Sequence, residues 1–274
     1  MLRRELLWLA LAASAWAQPL RVVSYNVRLP LASDGPNAWD NRKDIFVESV
    51  RRMDPDLMGT QELWRIQGDY IVEKLPQYKW FGISRRGTEQ DEHMGVFYKP
   101  AKLTLLESGN FWLSPTPEVP GSSAWGIDYP RMVTWGLFEV AGTKKRFYHY
   151  NTHFPHRAQD QAARIECARI IAARIKALPA DVPFLITGDF NTQLGGEVHQ
   201  VFTPLLTDAW QKAPKRVGPE ASMSRWTGST AGSRIDWILY RGGFSVQEVE
   251  TVTYNENGRY PSDHYPILAL LTLE

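Results

Sequence analysis

From residue 20 onward the chain alternates short apolar, β-branched runs with longer stretches of helical spacing. Leu20–Asn26 is a strand-like run. Trp39–Met53 has helical spacing and is stopped by Asp54-Pro55. Leu57–Gln61 predicts a second strand and Ile66–Leu75 a helix. Strands are then predicted over Lys79–Ile83, Gly95–Lys99, Leu103–Leu106, Met132–Val140 and Arg146–Thr152, with Gly142-Thr143 as a hairpin turn between the last two. Gln159–Leu178 is the clearest helix, with Ile165, Ala168, Ala172 and Ile175 on one face. Phe184–Thr187 has the continuous apolar character of a buried strand. Ile235–Tyr240, Phe244–Tyr254 and Ile267–Leu273 close the chain as strands. Ser114–Pro130, rich in Pro, Gly and Ser, lies between strand-like segments and predicts a long surface loop rather than a domain boundary. Helices interspersed with antiparallel-looking strands predict an α/β fold of two packed sheets with helices outside.

The N-terminus has a different pattern. Arg3 and Arg4 precede an apolar run, Leu6 to Ala13, and Ala15-Trp16-Ala17 fits a small-x-small cleavage pattern. The run is too short to cross about 30 Å of hydrocarbon. The expected organisation is a signal peptide over residues 1–17 and one catalytic domain over 18–274, secreted or periplasmic, with no stable membrane insertion after cleavage. The single cysteine, Cys167, excludes an intramolecular disulfide. Its place among Ala and Ile predicts a buried small hydrophobe rather than a catalytic thiol. The formal net charge is +1, which gives no polyelectrolyte signal for a standing nucleic-acid partner. Arg85-Arg86 and Lys144-Lys145-Arg146 are the basic clusters, and both are read as solvated turns.

Polar groups recur where strands end: Asn26, Glu62, His153, Asp189 with Asn191, Asp236, and Asp263 with His264. Singly each has an ordinary explanation, such as a turn residue or a solvated charge. Together they are different, because carboxylates placed directly after apolar strands are costly to bury unpaired. Oxygen donors with few histidines and no cysteine ligands suit Mg²⁺, with Mn²⁺ as an alternative, and not zinc. Histidines beside them can donate to charge developing on phosphorus.

Ser24-Tyr25-Asn26, Thr60-Gln61-Glu62, Asn151-Thr152-His153, Gly188-Asp189-Phe190-Asn191, Arg234-Ile235-Asp236 and Ser262-Asp263-His264 resemble, in this order, the motifs of the endonuclease/exonuclease/phosphatase superfamily. The resemblance runs from Val22 to Pro266. It implies a four-layer α/β/β/α sandwich of two mixed sheets flanked by helices. It also implies a metal-dependent phosphoric ester hydrolase with its site at one edge of the sheets. Glu62 is implied as the principal metal ligand, with Asn26 beside it and Asp263 in or next to the metal shell. Asp189, helped by Asn191, is implied to orient or deprotonate the attacking water. His264, held by Asp236, is implied to contact the scissile phosphate, and His153 to stabilise its oxygens.

One departure stands out. Some nucleases of the superfamily have a second acidic ligand two residues after the Asn, where this chain has Arg28. Arg28 is read as facing substrate, since a guanidinium clamps phosphate and does not bind Mg²⁺. Asp34-Gly35-Pro36-Asn37-Ala38-Trp39, Phe111-Trp112-Leu113-Ser114 and Pro130-Arg131-Met132 look like a secreted bacterial branch of poorly defined substrate. In these loops Trp39, Trp125 and Arg131 are candidates for substrate contact, with Arg131 alternatively pairing with Glu62. The expected function is Mg²⁺-dependent phosphodiester or phosphomonoester hydrolysis by a monomer acting on a phosphate-ester substrate. The alternatives are a secreted nuclease acting on DNA or RNA, and a catalytically silent binding module.

Overall fold

The computed structural model describes residues 19–274; the expected signal peptide lies outside the described residues. In chain order the elements are β1 (Leu20–Asn26), α1 (Trp39–Met53), β2 (Leu57–Gln61), α2 (Arg65–Lys74), β3 (Lys79–Phe81), β4 (Val96–Tyr98), β5 (Leu103–Trp112), β6 (Met132–Val140) and β7 (Arg146–His153). They continue with α3 (Gln161–Ala177), β8 (Phe184–Asp189), α4 (Glu197–Phe202), β9 (Thr207–Asp208), α5 (Ala209–Lys212), β10 (Lys215–Val217), β11 (Asp236–Arg241), β12 (Phe244–Thr251) and β13 (Ile267–Leu273). One sheet has the order β10-β12-β13-β1-β2-β4-β3, and the other β5-β6-β7-β8-β11-β9. Both are mixed: β1 is parallel to β2 and antiparallel to β13, while β7 is parallel to β8 and β8 antiparallel to β11.

Side-chain alternation explains the four layers. Successive residues of a strand point to opposite faces. Val22, Leu57, Phe147, Leu185 and Ile238 point between the sheets and form one apolar cluster. Val23, Tyr25, Met58 and Leu268 point outward and pack under α1 through Phe46, Val47 and Val50. Tyr150, Ile186, Trp237 and Leu239 pack on the other side under α3 through Cys167, Ile171 and Ile175. Both faces of the central strands are therefore covered, which is why they read as continuous apolar runs.

Between the sheets lies one polar clip. Asn151 donates to the carbonyls of Thr60 (2.7 Å) and Gly95 (3.1 Å), and its side-chain oxygen accepts from Gln61 (2.7 Å) and Thr187 (3.0 Å). Gly59 allows this approach, because a Cβ there would fall onto Thr187 Oγ1 and Asn151 Oδ1. His149 bonds Thr187 at 2.9 Å, and its full burial lowers its pKa to about 3, so it stays neutral.

Some expectations need correction. The β5 strand does not stop at Leu106 but runs to Trp112, because its polar stretch Glu107–Asn110 pairs along β6 after a register shift. Ile165 is only half-buried; the buried face of α3 is carried by Cys167, Ala168, Ile171, Ala172 and Ile175. The short elements β9, α5 and β10 had no periodic signal. Ser114–Pro130 is a loop between paired strands, as its composition implied.

Candidate active site

The C-terminal ends of β1 and β2 in one sheet, and of β7 and β8 in the other, emerge at a single edge. Register fixes what meets there: Asn26 lies opposite Gln61, His153 opposite Asp189, and Asp189 opposite Asp236. Arg28, Glu62 and Asn191, each just past one of these strands, have positive φ (57°, 59° and 49°). Non-glycine residues held in the left-handed region carry strain that concentrates at functional sites.

Asp189 is the centre of the cluster. It is 1% exposed. Its Oδ2 accepts from Asn26 Nδ2 at 3.0 Å and lies 3.6 Å from His153 Nε2 and 3.9 Å from His264 Nε2. Its Oδ1 accepts the Asn191 N–H at 2.9 Å, and Asn191 Nδ2 donates to Phe154 O at 3.0 Å. Each flanking histidine has its own carboxylate. His264 Nδ1 is 2.9 Å from Asp236 Oδ2, and His153 Nδ1 is 2.6 Å from Glu92 Oε1. A carboxylate on Nδ1 fixes the ring and points Nε2 at the site.

These side chains are placed by local bonding. Ser222 Oγ accepts the N–H groups of Ile235 (3.0 Å) and Asp236 (3.2 Å), setting the start of β11. Arg234 is buried against Asp208 through two bonds of 3.1 Å. Ser262 donates to Asn26 O at 2.7 Å and accepts from the His264 N–H at 3.2 Å, tying the 262–264 turn to the end of β1.

Burial alone would lower the His264 pKa, but the Asp236 bond and the nearby Asp189 and Asp263 charges outweigh it and hold the imidazolium well above its ordinary range. Burial pushes Asp236 up to about 6 against the pull of His264. The pair is best described as an imidazolium–carboxylate couple holding one proton. Glu92 is also buried, yet His153, Arg85 and Arg131 outweigh that burial and hold it well below the usual carboxylate range. Glu62 is raised, first by burial and then by the charge of Glu92.

A divalent cation fits beside Glu62. Its carboxylate accepts from Asn26 Nδ2 and the Leu29 N–H at 3.1 Å each, and the nearest cation, Arg28, is 4.0 Å away. A carboxylate 14% exposed, raised in pKa and 4.0 Å from the Arg28 guanidinium has the oxygen donors and the unspent negative charge that suit a hard divalent cation. Glu62 and Asp263 both line the cleft. Asn26 is a bridge: it donates to both Glu62 and Asp189, and its oxygen accepts the Arg28 N–H at 3.0 Å. Its direct effect here is to orient the two carboxylates. Asp189, Asp236 and His264 also offer ligand atoms within 4.8 Å of one another.

The cluster opens into a cleft of about 470 Å³. Among the sequence candidates its walls include Arg28, Glu62, Arg131, His153, Asp189, Asn191, Asp263 and His264. Three expectations are corrected. Trp39 is 5% exposed and packs edge-on against Phe46 (5.7 Å) and Tyr70 (6.1 Å) beneath α1, so it cannot meet substrate. Trp125 is 40% exposed on its loop but is not part of the cleft wall. Arg131 does not pair with Glu62; its Nη1 lies 3.7 Å from Glu92 and its Nη2 3.3 Å from His156.

Glu92, Arg85, Tyr129 and His156 were missed. Arg85 is no solvated turn: it is buried, binds Glu92 at 2.7 Å and Asp91 at 2.9 Å, and stacks 4.1 Å from the Tyr129 ring. The Asp91-Glu92-His93 stretch follows no predicted strand, so the strand-end criterion passed over it.

Residues 23–264 match the sequence family described as Endonuclease/Exonuclease/phosphatase family. A solved structure of a protein of that family from Bacteroides thetaiotaomicron is 31% identical, covers 94% of this chain and 99% of its own, and superposes with a TM-score of 0.88. A mannosyl-6-phosphatase from the same organism is 31% identical, covers 92% and 99%, and superposes at 0.86. An uncharacterized protein of Acanthamoeba polyphaga mimivirus is 28% identical over 162 residues, which are 56% of this chain and 59% of that relative. The chain thus spans less than two thirds of the curated relatives it matches, 59% of one and 18% of another.

Proposed function

This chain belongs to the endonuclease/exonuclease/phosphatase family, and from that membership we propose that it is a Mg²⁺-dependent phosphatase acting on a phosphate monoester of a sugar. The observation that carries the chemistry is the Asp189 carboxylate, ringed by Asn26, His153, His264 and Asn191 at the floor of an open cleft. The substrate class rests on the likeness to the mannosyl-6-phosphatase over nearly the full length of both chains. A formal net charge of +1 gives no support to a polyanionic substrate.

The residues divide the work. Asp189 orients the attacking water and accepts its proton, and Asn191 fixes the carboxylate that does so. His264, kept protonated by Asp236, donates to the phosphoryl oxygens as charge builds on them. His153, steadied by Glu92, does the same from the opposite side. Arg28 and Arg131 make the cleft favourable for an anion. Glu62 and Asp263 would hold the cation, which when bound supplies Lewis-acid charge to the phosphoryl group.

The test is a substrate panel with Mg²⁺ or with EDTA: mannose 6-phosphate, glucose 6-phosphate, inositol phosphates, sphingomyelin, bis(p-nitrophenyl) phosphate, RNA and supercoiled DNA. Mg²⁺-dependent phosphate release from the hexose phosphates ahead of the diesters is the expected result. Faster cleavage of a diester or of nucleic acid would replace the monoester reading with one of the alternatives. Export is part of the same proposal. N-terminal sequencing of the mature protein is expected to begin at Gln18, and retention of Met1 contradicts it.

A further inference from the structure

Arg28 is held from several sides. Its backbone lies in the left-handed region. Its N–H donates to Asn26 Oδ1 at 3.0 Å, and its carbonyl accepts from Arg42 Nη2 at 2.6 Å and Gln67 Nε2 at 2.9 Å. Arg42 is itself buried and spends its other donors on the carbonyls of Asn37, Val27 and Pro261. The Arg28 guanidinium is clamped by Asp34 through Nε (2.9 Å) and Nη2 (2.8 Å). That leaves Nη1, which lies 3.8 Å from Asp263 Oδ2 and 4.0 Å from Glu62 Oε2. These distances are too long for hydrogen bonds but well within strong Coulomb range.

We propose that Arg28 is a resident cation that weakens and limits metal binding, so that the divalent ion is held firmly only when an anionic phosphate joins it. The inference rests on the reading of Glu62 and Asp263 as the cation's oxygen donors. A fixed positive charge beside both carboxylates offsets part of the charge that would attract the ion. With that charge in place, the carboxylates and Arg28 leave room for one divalent ion and not two. When phosphate enters, its negative charge is attracted by both cations, and Nη1 is the guanidinium nitrogen free to donate to it. A salt bridge serving only to pin the 32–37 turn would not need to direct its unshared nitrogen towards two other carboxylates.

The test is Mn²⁺ binding by calorimetry to the full mature protein, without substrate and then with inorganic phosphate. Wild type is expected to bind one equivalent. Arg28→Gln and Arg28→Met are expected to bind Mn²⁺ about tenfold more tightly in the absence of phosphate, from the loss of one unit charge at short range. Phosphate should tighten Mn²⁺ binding more in wild type than in either variant. Arg28→Lys, which keeps the charge, should stay closer to wild type than either neutral variant. Thermal melts check that each variant folds before its binding is read. Unchanged or weaker Mn²⁺ binding in both neutral variants overturns the proposal and leaves Arg28 as a pin for the turn. Absence of Mn²⁺ binding in wild type even with phosphate present, or binding that survives Glu62→Ala, contradicts the metal assignment beneath it.

Discussion

Glu92 serves two purposes at once: it fixes the His153 ring at 2.6 Å and neutralises Arg85 at 2.7 Å, all three buried. Removing one member of a buried ionic cluster costs up to about 3–5 kcal/mol, and less here because Arg85 keeps Asp91 at 2.9 Å. Glu92→Gln is therefore expected to lower both stability and turnover, the latter by roughly one to two orders of magnitude in kcat if His153 loses its fixed tautomer and aim. The pH dependence has a definite sign. The folded Glu92 carboxyl lies below its ordinary value, so its contribution is fully present above the unfolded pKa of about 4.3 and disappears as pH falls through the folded value. In denaturant titrations the stability gap between wild type and Glu92→Gln should be widest near neutral pH and shrink in acid. A gap that is constant with pH would show that the carboxylate charge is not what holds the cluster. Much of the site could be read at this scale, since Asn26, Glu62, His153, Asp189, Asp236, Asp263 and His264 each follow or precede an apolar strand. Glu92 and Arg85 could not, because the Glu92 partner His153 is 61 residues away and the stretch between the predicted strands Lys79–Ile83 and Gly95–Lys99 is polar and non-periodic.

At the scale of elements, the two sheets meet through Asn151, Thr187, Gln61 and the bare backbone of Gly59. This clip lies directly behind the active-site edge, so sheet separation is transmitted to Glu62 and His153. Gly59→Ala places a methyl group on Thr187 Oγ1 and Asn151 Oδ1. Overpacking of this kind costs about 1–3 kcal/mol, and a lower unfolding midpoint in urea is expected, with loss of activity before global unfolding. A midpoint equal to wild type would mean the sheets yield freely there. The strands flanking this clip were legible because burial on both faces makes them unbroken apolar runs. The C-terminal half of β5 was not: Glu107–Asn110 is polar, and only its pairing with β6 makes it a strand. The Trp39 ring shows the opposite failure. The helix start at Trp39 was expected and is observed, but the ring, read as a substrate contact, turns into the core on the buried face of α1.

As a whole molecule, the domain is a pair of sheets closed by helices on both sides, with Cys167 inside the α3 layer. Burial pushes the Cys167 thiol up to about 12, so a thiol reagent is expected to modify the native protein only as fast as it unfolds. Fast modification without denaturant would contradict the packing of α3. Two packed sheets with helices outside were readable from the alternation of elements and the four-layer sandwich from the family resemblance, while the bond from Trp112 to the Arg85 carbonyl, which ties the end of β5 to the Arg85 segment across the fold, was not. In the proposed mechanism this edge carries out metal-assisted phosphoester hydrolysis with Asp189 acting on the water. The most direct measurement is phosphate release from mannose 6-phosphate by wild type and Asp189→Asn, each in Mg²⁺ and in EDTA, with melting curves taken alongside. Wild type is expected to turn over only in Mg²⁺, and Asp189→Asn to lose about 10²-fold or more without loss of fold. Equal turnover by both proteins, or turnover by wild type that persists in EDTA, would contradict it.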